Sequence, residues 1–309
     1  MKYCDLREDI KASRIVMGCM RIADKPLRQT EKVMIECMSA GVNMFDLADV
    51  YGGGDCERIF GVAIRDLEIP RNQYILQTKC GIRKEPDGSI TRFDFSKDYI
   101  LSCVDASLKR LNTGYIDVLL LHRPDTLVEP EEVMEAFTCL KEEGKVRAFG
   151  VSNFSAGQMQ LFKNEGIEMV ANQLQVSILH TPMIDAGFNV NMYKDESLSR
   201  AGDAMEFCRA NKIAIQAWSP LQYGFFEGSI FDKEKFPQVN AKMEQLAEKY
   251  NCTPATIACA WILRHPAFKQ VVSGTTSPNH MKEFCMAADV ELTREEWYEM
   301  YLSTGKILP

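Results

Sequence analysis

Residues 97–124 read KDYILSCVDASLKRLNTGYIDVLLLHRP. Ile100, Val104, Leu108 and Leu111 recur near every 3.6 residues, which predicts an amphipathic helix over 97–111. Asp117 to Leu121 is a short apolar run and reads as a strand. The same alternation extends in both directions. Strands are predicted at Arg14 to Gly18, Met44 to Leu47, Tyr74 to Lys79, Asp117 to Leu121, Ala148 to Val151, Met169 to Asn172, Ile213 to Ala217 and Gln270 to Val272, eight in all. Helical runs lie between them. Glu131 to Lys141 carries Val133, Met134, Phe137 and Leu140 on one face. Ser155 and Ser199 stand where N-caps belong, before helices that run to Lys163 and Asn211. Gly41, Gly144 and Gly166 follow helix ends, where a left-handed residue is wanted.

Strand–helix alternation implies parallel strands joined by crossover helices. Eight units with no Pro/Gly/Ser-rich linker between halves predict one α/β domain over 1–309, a closed (β/α)8 TIM barrel rather than an open doubly wound sheet. His180 to Ser197 and Leu221 to Gln238 are too long for ordinary connections. Both follow strands, on the side where barrels build active sites, so both are expected to be substrate-side loops. Thr293 to Leu302 is expected to form a C-terminal helix outside the barrel.

Composition narrows the function. Charged residues are 26% and the hydrophobic share is 46%, which excludes a disordered chain or a coiled coil. The chain has 36 basic and 43 acidic residues, net −7, and no basic cluster longer than a pair. Nucleic acid and membrane surfaces are therefore not expected partners. No apolar run approaches the ~18 residues of a membrane span, and charges interrupt the N-terminus too early for a signal peptide. Eleven cysteines with no C-x-x-C spacing argue for free thiols in a reducing cytoplasm. Four histidines without a ligating pattern leave no metal site and no metal-dependent hydrolysis.

Chemistry gathers at the ends of strands. One ends at Asp46 and leads through Leu47-Ala48-Asp49-Val50 to Tyr51 and Gly52-Gly53-Gly54. The triple glycine is not a phosphate loop, because Asp55-Cys56 stands where Lys-Ser/Thr is needed; it reads as a turn into a helix capped by Asp55. Lys79 closes the next apolar strand, where an ammonium needs an anion, and Asp46 is the candidate. His122 follows three leucines at the end of another. In a barrel these ends converge on one face. A phenol beside an ammonium is easier to ionise than its free pKa of about 10 suggests. Such a Tyr51 would protonate a carbonyl oxygen as hydride reaches the carbon.

The sequence resembles the aldo/keto reductase family from about Arg14 to Leu292. The resemblance rests on Asp46, Tyr51-Gly52, Glu57 and Gly61; Thr78-Lys79; Leu121-His122-Arg123-Pro124; Gly144-Lys145-Val146-Arg147 with Gly150-Val151-Ser152-Asn153-Phe154; Asn172-Gln173; Trp218-Ser219-Pro220-Leu221; and Gly274-Thr275-Thr276. It implies a (β/α)8 barrel and NAD(P)H-dependent reduction of an aldehyde or ketone. Its catalytic tetrad falls on Asp46, Tyr51, Lys79 and His122, with Tyr51 as general acid. Ser152, Asn153 and Gln173 would hold the nicotinamide carboxamide, and Trp218 would stack on the ring. Gly18, Met20, Ser219, Pro220, Leu221, Gly274, Thr275, Thr276, His280 and Glu283 would complete the cofactor site. The chain departs from the family at the adenosine end. His280 stands where NADPH users commonly place Arg, Gly274 where some branches place Lys, and Phe284 where some place Asn. Histidine carries only a fraction of a charge at neutral pH. NADPH is the expected cofactor and NADH the alternative. A cofactor-sensing subunit of the same fold is the competing role. The substrate rim is expected from Met20, Arg21, Tyr51, Arg123, Trp218, Met183, Phe188, Tyr193, Phe225 and Phe226. Its content suggests an apolar or aromatic carbonyl, with Arg21 and Arg123 available to steer an anion.

Overall fold

The computed structural model describes all 309 residues except Pro86 and Gly88. In chain order the first elements are β1 (Tyr3–Arg7), β2 (Ile10–Ser13), β3 (Ile15–Gly18), α1 (Leu27–Ser39), β4 (Met44–Asp46), α2 (Asp55–Asp66) and β5 (Ile75–Cys80). Then come β6 (Ile82–Lys84), β7 (Ile90–Phe93), α3 (Lys97–Leu111), β8 (Ile116–Leu121), α4 (Pro130–Glu142), β9 (Val146–Ser152), α5 (Ala156–Asn164) and β10 (Ala171–Gln175). The last part holds α6 (Pro182–Phe188), α7 (Ala204–Ala210), β11 (Ala214–Trp218), β12 (Gln222–Tyr223), β13 (Gly228–Ser229), α8 (Pro237–Lys249), α9 (Pro254–Arg264), β14 (Phe268–Ser273), α10 (Pro278–Met286) and α11 (Arg294–Leu302).

Strands β3, β4, β5, β8, β9, β10, β11 and β14 pair in parallel and close on themselves. This is the expected (β/α)8 barrel. Because side chains alternate along a strand, each strand sends every second residue inward. Inward apolar residues at the bottom (Val16, Met44, Ile75, Val118, Ala214) form one cluster with Leu6, Ile10 and Ala12 of the β1–β2 hairpin, which plugs that end. A second, larger cluster lies between the sheet and the surrounding helices.

Three local expectations shift. The strand expected at Met169 to Asn172 runs instead from Ala171 to Gln175. Val170 already bonds to Phe149, and the ladder continues through polar Gln173 and Gln175, because the interior at that height is polar. Ser155 caps α5 through a full capping box, whereas Ser199 caps nothing. Its hydroxyl accepts from the Asp203 N–H, and the chain turns through positive φ at Gly202 and Asp203 before α7 starts. Helix α2 begins at Asp55 itself, with Gly54 as its cap residue. The expected C-terminal helix is present: α11 begins with a Thr293–Glu296 capping box. Its Trp297 stacks on Trp261 of α9 at 4.9 Å, and each indole N–H donates to the other residue's carbonyl.

Buried polar contacts bind α2 to the barrel. Glu57 accepts from Thr78 Oγ1 at 2.7 Å and from Arg110 of α3 at 2.7 Å. Gly61 lets the two helices touch: a Cβ there would lie 2.7 Å from the Leu111 carbonyl oxygen. Backbone cannot yield as a side chain can. Gly61→Ala is therefore expected to cost about 1–3 kcal/mol, read as a fall of several degrees in melting temperature. Asp49 lies beside this network with its Oδ1 unpartnered. Burial, with Glu57 adding to it, pushes its carboxyl up to about 7. An unfolded Asp titrates near ~3.9. Between these values the folded chain holds a proton that the unfolded chain releases, so stability falls as pH rises through the window. Asp49→Asn is expected to shrink the loss of melting temperature between pH 5 and pH 8.

Candidate active site

Parallel register sets the heights of the inward groups. Asp46 pairs with Gln77 across β4 and β5, and Lys79 lies two residues further, on the same inward face. The Lys79 ammonium is fully buried and donates to Asp46 Oδ2 at 2.7 Å, to the Leu47 carbonyl at 2.7 Å and to the Tyr51 hydroxyl at 3.2 Å. All three of its N–H groups are thereby engaged. Tyr51 reaches this point from a single turn over Tyr51–Gly54, in which Gly52 and Gly53 take φ of 57° and 63°. The Tyr51 ring meets His122 edge-on at 5.7 Å. The four strand-end residues expected to converge do so.

Electrostatics follow from burial. Burial works against the Lys79 charge, but Asp46 and Tyr51 together, through charge and hydrogen bonds, outweigh it and the ammonium is held charged. His122 is driven well below its usual range by burial and by the charges on Lys79, Arg123 and Lys84, so its imidazole is neutral. Tyr51 departs from expectation. Burial, with the charge on Asp46 adding to it, raises its pKa by more than Lys79 lowers it, and the net direction is upward. The resting group is thus a neutral phenol, and Lys79 acts by limiting a rise that burial imposes.

Below the tetrad, four glutamines cross the barrel. Gln77 and Gln173 donate to Asp46 Oδ1 at 2.6 and 3.1 Å, and both donate to Gln216 at 2.9 and 3.1 Å. Gln216 donates to Gln77 and Gln270, and Gln270 donates to the Ser13 carbonyl. A carboxylate only accepts, so Asp46 fixes which way these amides point. Both N–H groups of Gln173 are taken, and its carbonyl oxygen is left to face the mouth.

Above the tetrad opens a cavity of about 820 Å³, toward the upper end of the range for ligand clefts. Of the residues expected at the cofactor, Gly18, Met20, Ser152, Asn153, Gln173, Trp218, Ser219, Pro220, Leu221, Gly274, Thr275, His280 and Glu283 line it. Thr276 does not; its carbonyl accepts from Gln29. Asn153 is locked, taking the Trp218 indole N–H at 3.2 Å and donating to Ser152 Oγ at 2.8 Å. The rim corrects the reading of the long loops. Leu221, Gln222, Phe225, Phe226 and Phe231 line the cavity, but no residue of 180–197 does. Phe188 from that segment packs on Tyr298 and Tyr301 of α11 instead, and Met183 is buried. Lys84 and Ile90 of the β6–β7 hairpin line the mouth and were missed. The signal for them was present, since Ile82-Arg83-Lys84 and Ile90-Thr91-Arg92-Phe93 flank a Pro-Asp-Gly turn sequence.

All eleven cysteines are free thiols. Among the described residues, no His, Cys, Asp or Glu group has the arrangement of a metal site, and no helix is long and apolar enough to cross a membrane. Residues 14–301 match the model of the aldo/keto reductase family. The chain is 33% identical to an uncharacterized oxidoreductase, YcsN, of Bacillus subtilis over 97% of both chains. It is 30% identical to 6-dehydroglucose reductase of Agrobacterium fabrum over 99% of both. It is 29% identical to NADH-specific methylglyoxal reductase of Escherichia coli over 92% of both. With an eight-stranded parallel barrel, a match across almost its whole length and oxidoreductases among its relatives, this chain belongs to the aldo/keto reductase family.

Proposed function

We propose that the protein reduces an aldehyde or ketone with a nicotinamide dinucleotide, and that Tyr51 delivers the proton. The observation that carries this reading is the 3.2 Å contact between the Lys79 ammonium and the Tyr51 hydroxyl at the floor of an open cavity. When bound, a reduced nicotinamide would supply the hydride. The residues suit such a group. The Gln173 carbonyl and the remaining N–H of Asn153 offer an acceptor and a donor, as a carboxamide requires. Trp218, held by Asn153, offers a flat face. At the entrance to α10 the Thr275 hydroxyl and the Asn279 N–H remain to meet phosphate, since Pro278 has no N–H and that of His280 is taken by Ser277 Oγ.

Tyr51 donates its proton to the carbonyl oxygen as negative charge develops there. The phenolate left behind lies against Lys79, whose other two N–H groups are anchored, so the cation need not move. Asp46 keeps Lys79 charged. His122, uncharged, offers a hydrogen bond that orients the carbonyl. Tyr51→Phe is expected to lower kcat by roughly 10²- to 10⁴-fold, with NADPH binding retained by calorimetry. A full reductase rate in that variant removes Tyr51 from the mechanism.

NADPH remains the favoured cofactor, with His280 and Thr275 at the adenosine end. Lys282 is turned toward Glu36 at 3.4 Å and contributes less. His280→Arg is expected to raise the ratio of NADPH to NADH affinity by roughly tenfold, the worth of one added charge-assisted hydrogen bond. Calorimetric titration with both dinucleotides measures it.

A further inference from the structure

Arg123 is a cation at the mouth that the mechanism does not use. It follows His122 directly and lines the cavity, half-buried. Its guanidinium carbon lies 5.9 Å from the Trp218 ring and 5.7 Å from the Phe225 ring. Other partly buried arginines in this chain have partners: Arg71 and Arg147 share Asp117, Arg110 has Glu57, and Arg14 donates to backbone carbonyls. Among the described residues, Arg123 has no ion pair and donates no hydrogen bond. Burial works against its charge, as the downward direction of its pKa reflects. A partly desolvated guanidinium between two aromatic faces lacks the anion that such a site needs.

The surroundings add to the same field. Lys84 also lines the cavity, whereas Arg21 is turned to the Gly274 carbonyl at 3.5 Å, at the cofactor end. The carboxylates that line it are Asp46, engaged by Lys79, and Glu283, at the opposite end with His280 and Phe284. The substrate end of the cavity is therefore cationic, with Trp218, Phe225 and Phe226 as walls.

We propose that the substrate is an oxo-acid: a carbonyl compound whose carboxylate is held by the Arg123 fork while Trp218 and Phe225 flank its planar or apolar body. The guanidinium geometry favours a planar, bidentate acceptor. This inference rests on the carbonyl-reductase reading above and names the substrate class for that site.

The test compares 4-carboxybenzaldehyde with benzaldehyde, using NADPH, in the native protein and in Arg123→Met and Arg123→Lys. The native protein is expected to show kcat/KM roughly 10- to 100-fold higher for the carboxylate, mostly through KM. Arg123→Met brings the ratio close to one, and Arg123→Lys restores part of it. A structural role, with Arg123 only bracing Trp218 and Phe225, would depress both substrates alike and leave the ratio standing; that result overturns the proposal. A native ratio at or below one overturns it as well, while reduction of benzaldehyde leaves the reductase reading intact. Preference for glyceraldehyde 3-phosphate over the carboxylate, lost in Arg123→Met, replaces the carboxylate with a phosphate. No reduction of any carbonyl by the native protein removes the reductase reading and this inference together.

Discussion

Burying an ammonium inside a barrel is unfavourable unless an anion lies against it and every N–H finds an acceptor. Lys79 meets both conditions through Asp46, the Leu47 carbonyl and Tyr51. Two of those partners belong to β4 and its exit and one to the turn that follows, so the pair fixes the register of β4 on β5 and the path of the chain beyond it. A one-residue slip would turn Lys79 outward into the apolar layer under the helices. The fold and the geometry of the candidate site therefore share one contact.

Asp46 in turn organises what lies below. Its second oxygen gathers Gln77 and Gln173, and through Gln216 and Gln270 the amides extend down to Ser13. A polar chain of this kind is tolerable only when its members are satisfied, since an unmet amide in a low-dielectric interior is costly. Here the polarity of one carboxylate is passed down the barrel axis. It also presents the Gln173 carbonyl, rather than its N–H, to the mouth.

The barrel was legible because short apolar runs alternate with longer amphipathic ones along the chain, and the convergence of Asp46, Tyr51, Lys79 and His122 because such a barrel brings its strand ends and the turns after them to one face. Less legible were features set by contacts distant in sequence. The β1–β2 hairpin carries no chemistry and reads as a charged N-terminus, yet its Leu6 and Ile10 complete the core. β10 was misplaced because its glutamines look unlike a buried strand, although the barrel interior at that height is built of glutamines. Segment 180–197 has the length of a rim loop, but Phe188 finds Tyr298 and Tyr301 on a helix more than a hundred residues later. The direction of the Tyr51 shift needed the depth of its burial, which spacing alone does not contain.

The stacked indoles of Trp261 and Trp297 carry an optical consequence. The chain has three tryptophans, and these two are buried face to face at 4.9 Å on the outer helices, away from the cavity. Trp218 alone lines the mouth. Ultraviolet emission from the pair reports the integrity of the α9–α11 junction, while a change in emission when a ligand that does not absorb in this range fills the mouth belongs to the third ring. One chromophore class thus separates unfolding from occupancy without a label.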